Sequence, residues 1–210
     1  RAAVQKKDNV QMEDFEFAKE KVMMGPERKS MVLNEDEKKL TAIHESGHTL
    51  VAKLLPDSGP VYKVTIIPRG MALGLTQQIP ENDRHSYNIN YLTNRVIVLL
   101  GGRAAEDVMG NPITTGASND ISQATKLATK MVTQWGMSRL GPIQYSDDES
   151  TPFLGQDIMR RKSVSDKTAE QVDNEVERLI ARCYAKAKKL LSDNIIILKN
   201  SSKNYLKIYN

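Results

Sequence analysis

Residues 40–51 read Leu40-Thr41-Ala42-Ile43-His44-Glu45-Ser46-Gly47-His48-Thr49-Leu50-Val51. Apolar Leu40, Ile43, Gly47, Val51 and Leu54 recur at helical spacing, and Pro56 to Pro60 break the pattern, so a helix is predicted over 35–55. On a helix, positions i and i+4 share one face, which lets His44 and His48 grip one metal ion. Imidazole nitrogens suit zinc. Glu45 sits one residue round from His44, beside such a metal rather than on it. There it can take a proton from water whose pKa zinc lowers to about 7. Gly47, next to His48, admits another backbone close to the site. A chain of this composition is expected to carry the His-Glu-x-x-His pattern by chance only roughly 0.003 times, and the pattern uses two of the three histidines. The third, His85, falls in the polar run Asn82-Asp83-Arg84-His85 and reads as a loop residue.

Other elements read outward from this helix. A short helix is predicted over 12–24, with Phe15, Ala18 and Val22 as its stripe and Gly25-Pro26 as its end. Strands are predicted over 61–67 and 73–79, separated by the turn Pro68-Arg69-Gly70. Long helices are expected over 88–109, 119–135 and 166–191, the last with stripe Val172, Val176, Leu179, Cys183, Ala187 and Leu190. The stretch 138–164 reads as irregular, with the acidic loop Asp147-Asp148-Glu149, and the tail 194–210 is poorly patterned. The fold class expected is mainly α-helical with a small β-sheet.

Composition narrows the options. The 210 residues are 40% hydrophobic and 27% charged, with mean hydropathy −0.47, which is enough apolar material for one packed domain. The net charge of +4 and pI of about 9.0 come without a basic patch interleaved with aromatics, so nucleic acid is not the expected partner. Cys183 is the only cysteine, which excludes an internal disulfide; it reads as a small buried hydrophobe. No run approaches the ~18 apolar residues of a membrane span. The chain begins at Arg1 without an initiator Met or a signal peptide, so a piece of something longer is expected.

A catalytic zinc wants three protein ligands and an open position. The residue six beyond His48 is Leu54, so the three-histidine extension is absent. Two acids on otherwise apolar helical stripes are the candidates for the third ligand. Glu106 follows Leu92, Val96 and Leu99; Asp120 precedes Ala124, Leu127 and Met131. A buried carboxylate is costly unless it is paired or bound to a metal. Asp120 has the simpler account of a helix N-terminal acid, and Glu106 that of an ion pair or of a partner that orients a ligating histidine. Spacing alone does not choose between them. Asp107 is explained by Arg103 four residues earlier.

Six stretches together resemble the peptidase domain of the FtsH family, the membrane-anchored AAA zinc proteases. They are Met23-Met24-Gly25-Pro26-Glu27-Arg28, His44-Glu45-Ser46-Gly47-His48, Ile66-Ile67-Pro68-Arg69-Gly70, Gly101-Gly102-Arg103-Ala104-Ala105-Glu106, Thr114-Thr115-Gly116-Ala117-Ser118-Asn119-Asp120 and Gly136-Met137-Ser138. The resemblance implies that His44, His48 and Asp120 bind one zinc ion per chain, that Glu45 is the general base, and that Glu106 backs a ligand. It implies that Leu73, Gly74, Leu75, Thr76 and Gln77 form an edge strand on which unfolded polypeptide lies. It further implies residues 1–25 as the end of an AAA lid, 26–193 as a zinc peptidase domain and 194–210 as a tail. The ATP, homohexamer and membrane anchor of such proteins belong to the full-length protein, since this chain has no Gly-x-x-x-x-Gly-Lys-Ser/Thr loop. The wording is similar to the mitochondrial inner-membrane branch, with plastid and bacterial inner-membrane relatives near. The competing readings are a stand-alone helical zinc peptidase and a non-enzymatic helical binding module.

Overall fold

A computed structural model describes residues 2–28, 33–69, 73–78, 86–145 and 165–209. Its elements are α1 (Met12–Met24), α2 (Glu35–Leu54), β1 (Val61–Thr65), β2 (Leu75–Gln78), α3 (Ile89–Leu99), α4 (Gly101–Val108), α5 (Ser118–Thr133), α6 (Asp166–Asp193) and α7 (Ile195–Tyr209), with a 3₁₀ turn at Thr115–Ala117 before α5. The fold is mainly helical with a two-stranded antiparallel sheet, as expected. His85 and the acidic loop Asp147-Asp148-Glu149 lie outside the described residues. No helix among the described residues is long and apolar enough to cross a membrane.

The helix α2 starts at a capping box. The Asn34 side chain accepts from the Glu37 N–H at 2.8 Å, and the Glu37 carboxylate accepts from the Asn34 N–H at 3.3 Å. Ala42, Ser46, Gly47 and Val51 form its buried face. The core gathers around that face: Val51, Val96, Ala104, Ala105, Ala128, Met131, Cys183, Ala187 and Leu191 are closed to solvent. Cys183 is the buried hydrophobe expected, and burial pushes its thiol pKa up to about 11. On α6 the buried stripe ends on Leu191 rather than Leu190.

The single helix expected over 88–109 is two. It is interrupted at Leu100, and α4 begins with Gly101-Gly102. The reason is how closely α4 crosses α2. A Cβ on Gly47 would run into the Gly101 carbonyl and lie 2.5 Å from Ala105 Cβ, and one on Gly101 would lie 3.1 Å from Gly47 O. Glycines on both sides let the two backbones touch.

Two further expectations change. The tail is the helix α7, which packs against α2 and closes Leu198 from solvent. Its pattern is hard to read because Ser202 occupies a buried position and Ile196 and Ile197 face outward. In α1 the expected apolar stripe is exposed, with Phe15 at 63% and Val22 at 85%. Polar contacts tether the helix instead. Asp14 is buried against Lys7 at 3.2 Å, and Glu20 meets Lys63 and Arg69. Buried Arg69 also holds Glu27 at 2.5 Å, and the Arg28 N–H donates to Pro68 O at 2.9 Å. Arg69 thus joins the end of α1 to the chain leaving β1.

Candidate metal centre

The helix α2 delivers His44, Glu45 and His48 to a cleft of about 810 Å³, lined also by β2, the end of α3, the 3₁₀ turn and the start of α5. Asp120, in the first turn of α5, enters from across it. Its Oδ2 lies 3.0 Å from His44 Nε2 and 3.2 Å from His48 Nε2, and the two Nε2 atoms are 3.0 Å apart. Both rings are fixed from behind. His44 Nδ1 is 2.7 Å from Glu106 Oε1, and His48 Nδ1 donates to the Val98 carbonyl at 2.7 Å. An acceptor at each Nδ1 places the ring proton there and leaves the Nε2 lone pairs facing each other. Two bare nitrogens and a carboxylate converging at about 3 Å repel unless a cation lies between them. Two imidazoles and one carboxylate are a donor set that zinc accepts. This trio is the one group among the described residues able to hold a metal ion.

The electrostatics agree. Burial disfavours a charged His44 ring, but the Asp120 and Glu106 carboxylates outweigh it and lift its pKa to about 10. Burial also disfavours ionised Asp120, yet the two rings hold its pKa well below the usual carboxylate range. The pocket favours positive charge between these side chains, whether a proton or a metal carries it. Gly102 supplies the room. A Cβ there would overlap His44 Nε2 and stand 2.6 Å from His48 Nε2.

Glu106 explains its place on an apolar stripe. Only 1% exposed, it bonds the back of His44, with Arg103 Nη1 at 3.8 Å from its second oxygen. Asp107 departs from expectation. It bonds Lys188 at 2.8 Å and Tyr184 at 2.9 Å on α6, not Arg103. These contacts, Lys188 first, lower its pKa.

Glu45 is buried beside the trio. Its Oε2 accepts from Thr76 Oγ1 at 2.6 Å. Burial raises its pKa, with His48, His44 and Thr76 pulling the other way. Gly74 lets β2 come this near, since a Cβ there would be 2.7 Å from Glu45 Oε1. Of the expected edge strand, Leu73, Gly74, Leu75 and Thr76 line the cleft. Gln77 faces α1 instead, donating to Met23 Sδ at 3.6 Å. Sequence reading missed the Thr76–Glu45 bond, the Val98 carbonyl and the place of Gly102. Only the last left a signal: paired glycines inside an apolar helical run cost helix stability unless something needs the space.

With this geometry in hand, comparison with known proteins is specific. The model of peptidase family M41 matches residues 31–208. An ATP-dependent zinc metalloprotease FtsH 4 of Sorangium cellulosum is 55% identical over 201 residues, covering 94% of this chain and 31% of that protein. The FtsH proteins of Acidobacterium capsulatum and Photobacterium profundum, each also described as an ATP-dependent zinc metalloprotease, are 51% and 50% identical. They cover 88% and 90% of this chain. The chain spans about three-tenths of the length of these relatives.

Proposed function

The chain belongs to peptidase family M41, and from that premise we propose that it is the zinc endopeptidase part of an ATP-dependent protease of the FtsH kind, cutting unfolded polypeptide. The observation that carries the reading is the meeting of His44 Nε2, His48 Nε2 and Asp120 Oδ2 at 3.0–3.2 Å, with both Nδ1 atoms already engaged. These three side chains would hold zinc, and Glu106 would keep the His44 ring in the right tautomer. Bound there, zinc supplies a Lewis acid that polarises a peptide carbonyl and makes water more acidic. Glu45 carries the proton. Thr76 occupies its Oε2, so Oε1 is the oxygen that takes a proton from the attacking water and returns it to the leaving nitrogen. The strand β2 has β1 on one edge only among the described residues. A substrate strand added along Leu73, Gly74, Leu75, Thr76 and Gln77 would bind through main-chain hydrogen bonds, which ignore sequence and suit a protease of unfolded chains.

The relatives are named as ATP-dependent and are about three times as long as this chain. We therefore read residues 1–25 as the end of an AAA lid and 26–193 as the peptidase domain, with 194–210 joined to that domain through α7. The whole protein would be a membrane-anchored homohexamer in protein quality control, with its ATPase elsewhere in its sequence. These relatives are bacterial. They favour a bacterial inner membrane and give the mitochondrial alternative no support.

Zinc content tests the ligand set. Elemental analysis is expected to find about one zinc per chain in the wild type, a sharp loss in Asp120→Asn and a weaker effect, on the order of 10- to 100-fold in affinity, in Glu106→Gln. Loss in Glu106→Gln alone would reverse the two roles. A folded wild type that takes no zinc would leave a binding module as the better account.

Thr76→Val tests the base. It removes the hydroxyl that donates to Glu45 Oε2 and holds the Glu45 pKa down. Without it the carboxylate stays protonated to higher pH, so the acid limb of kcat/KM should move upward while zinc content stays unchanged. An unmoved limb would place the titrating base elsewhere.

A further inference from the structure

Arg95 is the only lysine or arginine among the described residues that line the cleft. It lies on α3, three residues before Val98, whose carbonyl receives the His48 Nδ1 proton. Both residues line the cleft near the end of α3. The side chain is exposed and forms no hydrogen bond or ion pair with the described residues. The acids that share the cleft are all engaged: Glu106 with His44, Asp120 with both rings, Glu45 with Thr76, and Glu37 at the rim with the Asn34 N–H. Arg95 is therefore a planar cation lining the cleft with no partner among the described residues, and its natural partner is a carboxylate bound two oxygens to two nitrogens.

We infer that Arg95 makes the cleft select peptides that carry a carboxylate close to the scissile bond, from an Asp or Glu side chain or from the peptide's own C-terminus. The inference rests on the peptidase reading and adds a charge preference to it. Main-chain pairing along β2 is blind to side chains, so a charge preference must come from a cleft side chain such as this one. Exposed ion pairs of this kind give roughly two- to fivefold discrimination, and salt weakens them.

The test uses the zinc-loaded chain and four short fluorogenic peptides alike but for one feature. Three are blocked at both ends and carry Asp, Asn or Lys beside the cleaved bond; the fourth is the Asn peptide with a free C-terminal carboxylate. The wild type should cut the Asp or the free-acid peptide about two- to fivefold faster than blocked Asn, which also tells the two carboxylate sources apart. Arg95→Gln should bring those ratios to one, and Arg95→Glu should turn the preference toward Lys. Equal rates for all four peptides in the wild type, or an acidic preference that survives Arg95→Gln, would overturn the inference and leave the peptidase reading standing. If the zinc-loaded chain cuts none of them, the peptidase reading falls and takes this inference with it.

Discussion

Gly102→Ala is expected to abolish zinc binding while leaving the helical content of the protein unchanged. The added methyl would overlap His44 Nε2 and lie 2.6 Å from His48 Nε2, far inside van der Waals contact. Neither ring has an easy retreat. Glu106 holds the back of His44 at 2.7 Å, and the Val98 carbonyl holds His48 at 2.7 Å. Any retreat of α4 from α2 would also open the close backbone contact between Gly101 and Gly47. The methyl therefore occupies the space between the donors or tilts the rings off their lone-pair directions. Against this, alanine is favoured over glycine inside a helix by about 1 kcal/mol, so α4 itself should survive. Zinc per chain should fall from about one to near zero, with the far-ultraviolet circular dichroism unchanged. A Gly102→Ala protein that keeps full zinc would show that the rings give way easily, and the converging trio would lose its claim to be the metal site.

That glycine also marks the boundary of what the sequence makes legible. Helical spacing alone put His44 and His48 on one face, and the cost of a buried acid singled out Glu106 and Asp120 from the apolar stripes around them. These are local patterns, and local patterns survive folding. The division between α3 and α4 is not local. It depends on α2 crossing at Gly47, a contact between residues more than fifty positions apart, and within the segment itself Val96 to Glu106 looks like one continuous helix. The same holds for Thr76, whose hydroxyl matters only because Gly74 lets β2 lie against Glu45. In α1 the pattern misleads in the opposite sense. Phe15 and Val22 recur at helical spacing, yet they face outward, while Glu20 holds the helix to Lys63 and Arg69. Periodicity says which face is apolar, not whether anything covers it. The helix α7 hid for a related reason: the face it turns to α2 combines Leu198 with Ser202 and the Tyr205 hydroxyl, which bonds Thr49 at 3.5 Å. A hydrophobic-pattern reading counts the first and discards the others.

Glu45→Gln is expected to lower peptide hydrolysis by about 10²- to 10⁴-fold, the usual worth of a positioned general base, while zinc content and peptide affinity stay near wild type. The two side chains have the same shape, and a glutamine oxygen can still accept from Thr76 Oγ1 as the carboxylate does at 2.6 Å. What disappears is the ability of the other oxygen to hold a proton. Burial works both ways here. It pushes the Glu45 pKa upward, against the pull of His48, His44 and the Thr76 hydroxyl. It also leaves the side chain only 4% exposed, so bulk water cannot easily replace the missing base. The pattern of losses separates this substitution from Gly102→Ala. Both silence the enzyme, but only the glycine variant should lose zinc, and only the Glu45 variant should still bind an uncleaved peptide. Full hydrolysis by a zinc-loaded Glu45→Gln protein would mean that the proton travels by another group. Asp120 would be a poor substitute, because its Oδ2 is shared between the two histidine rings and its pKa is held low.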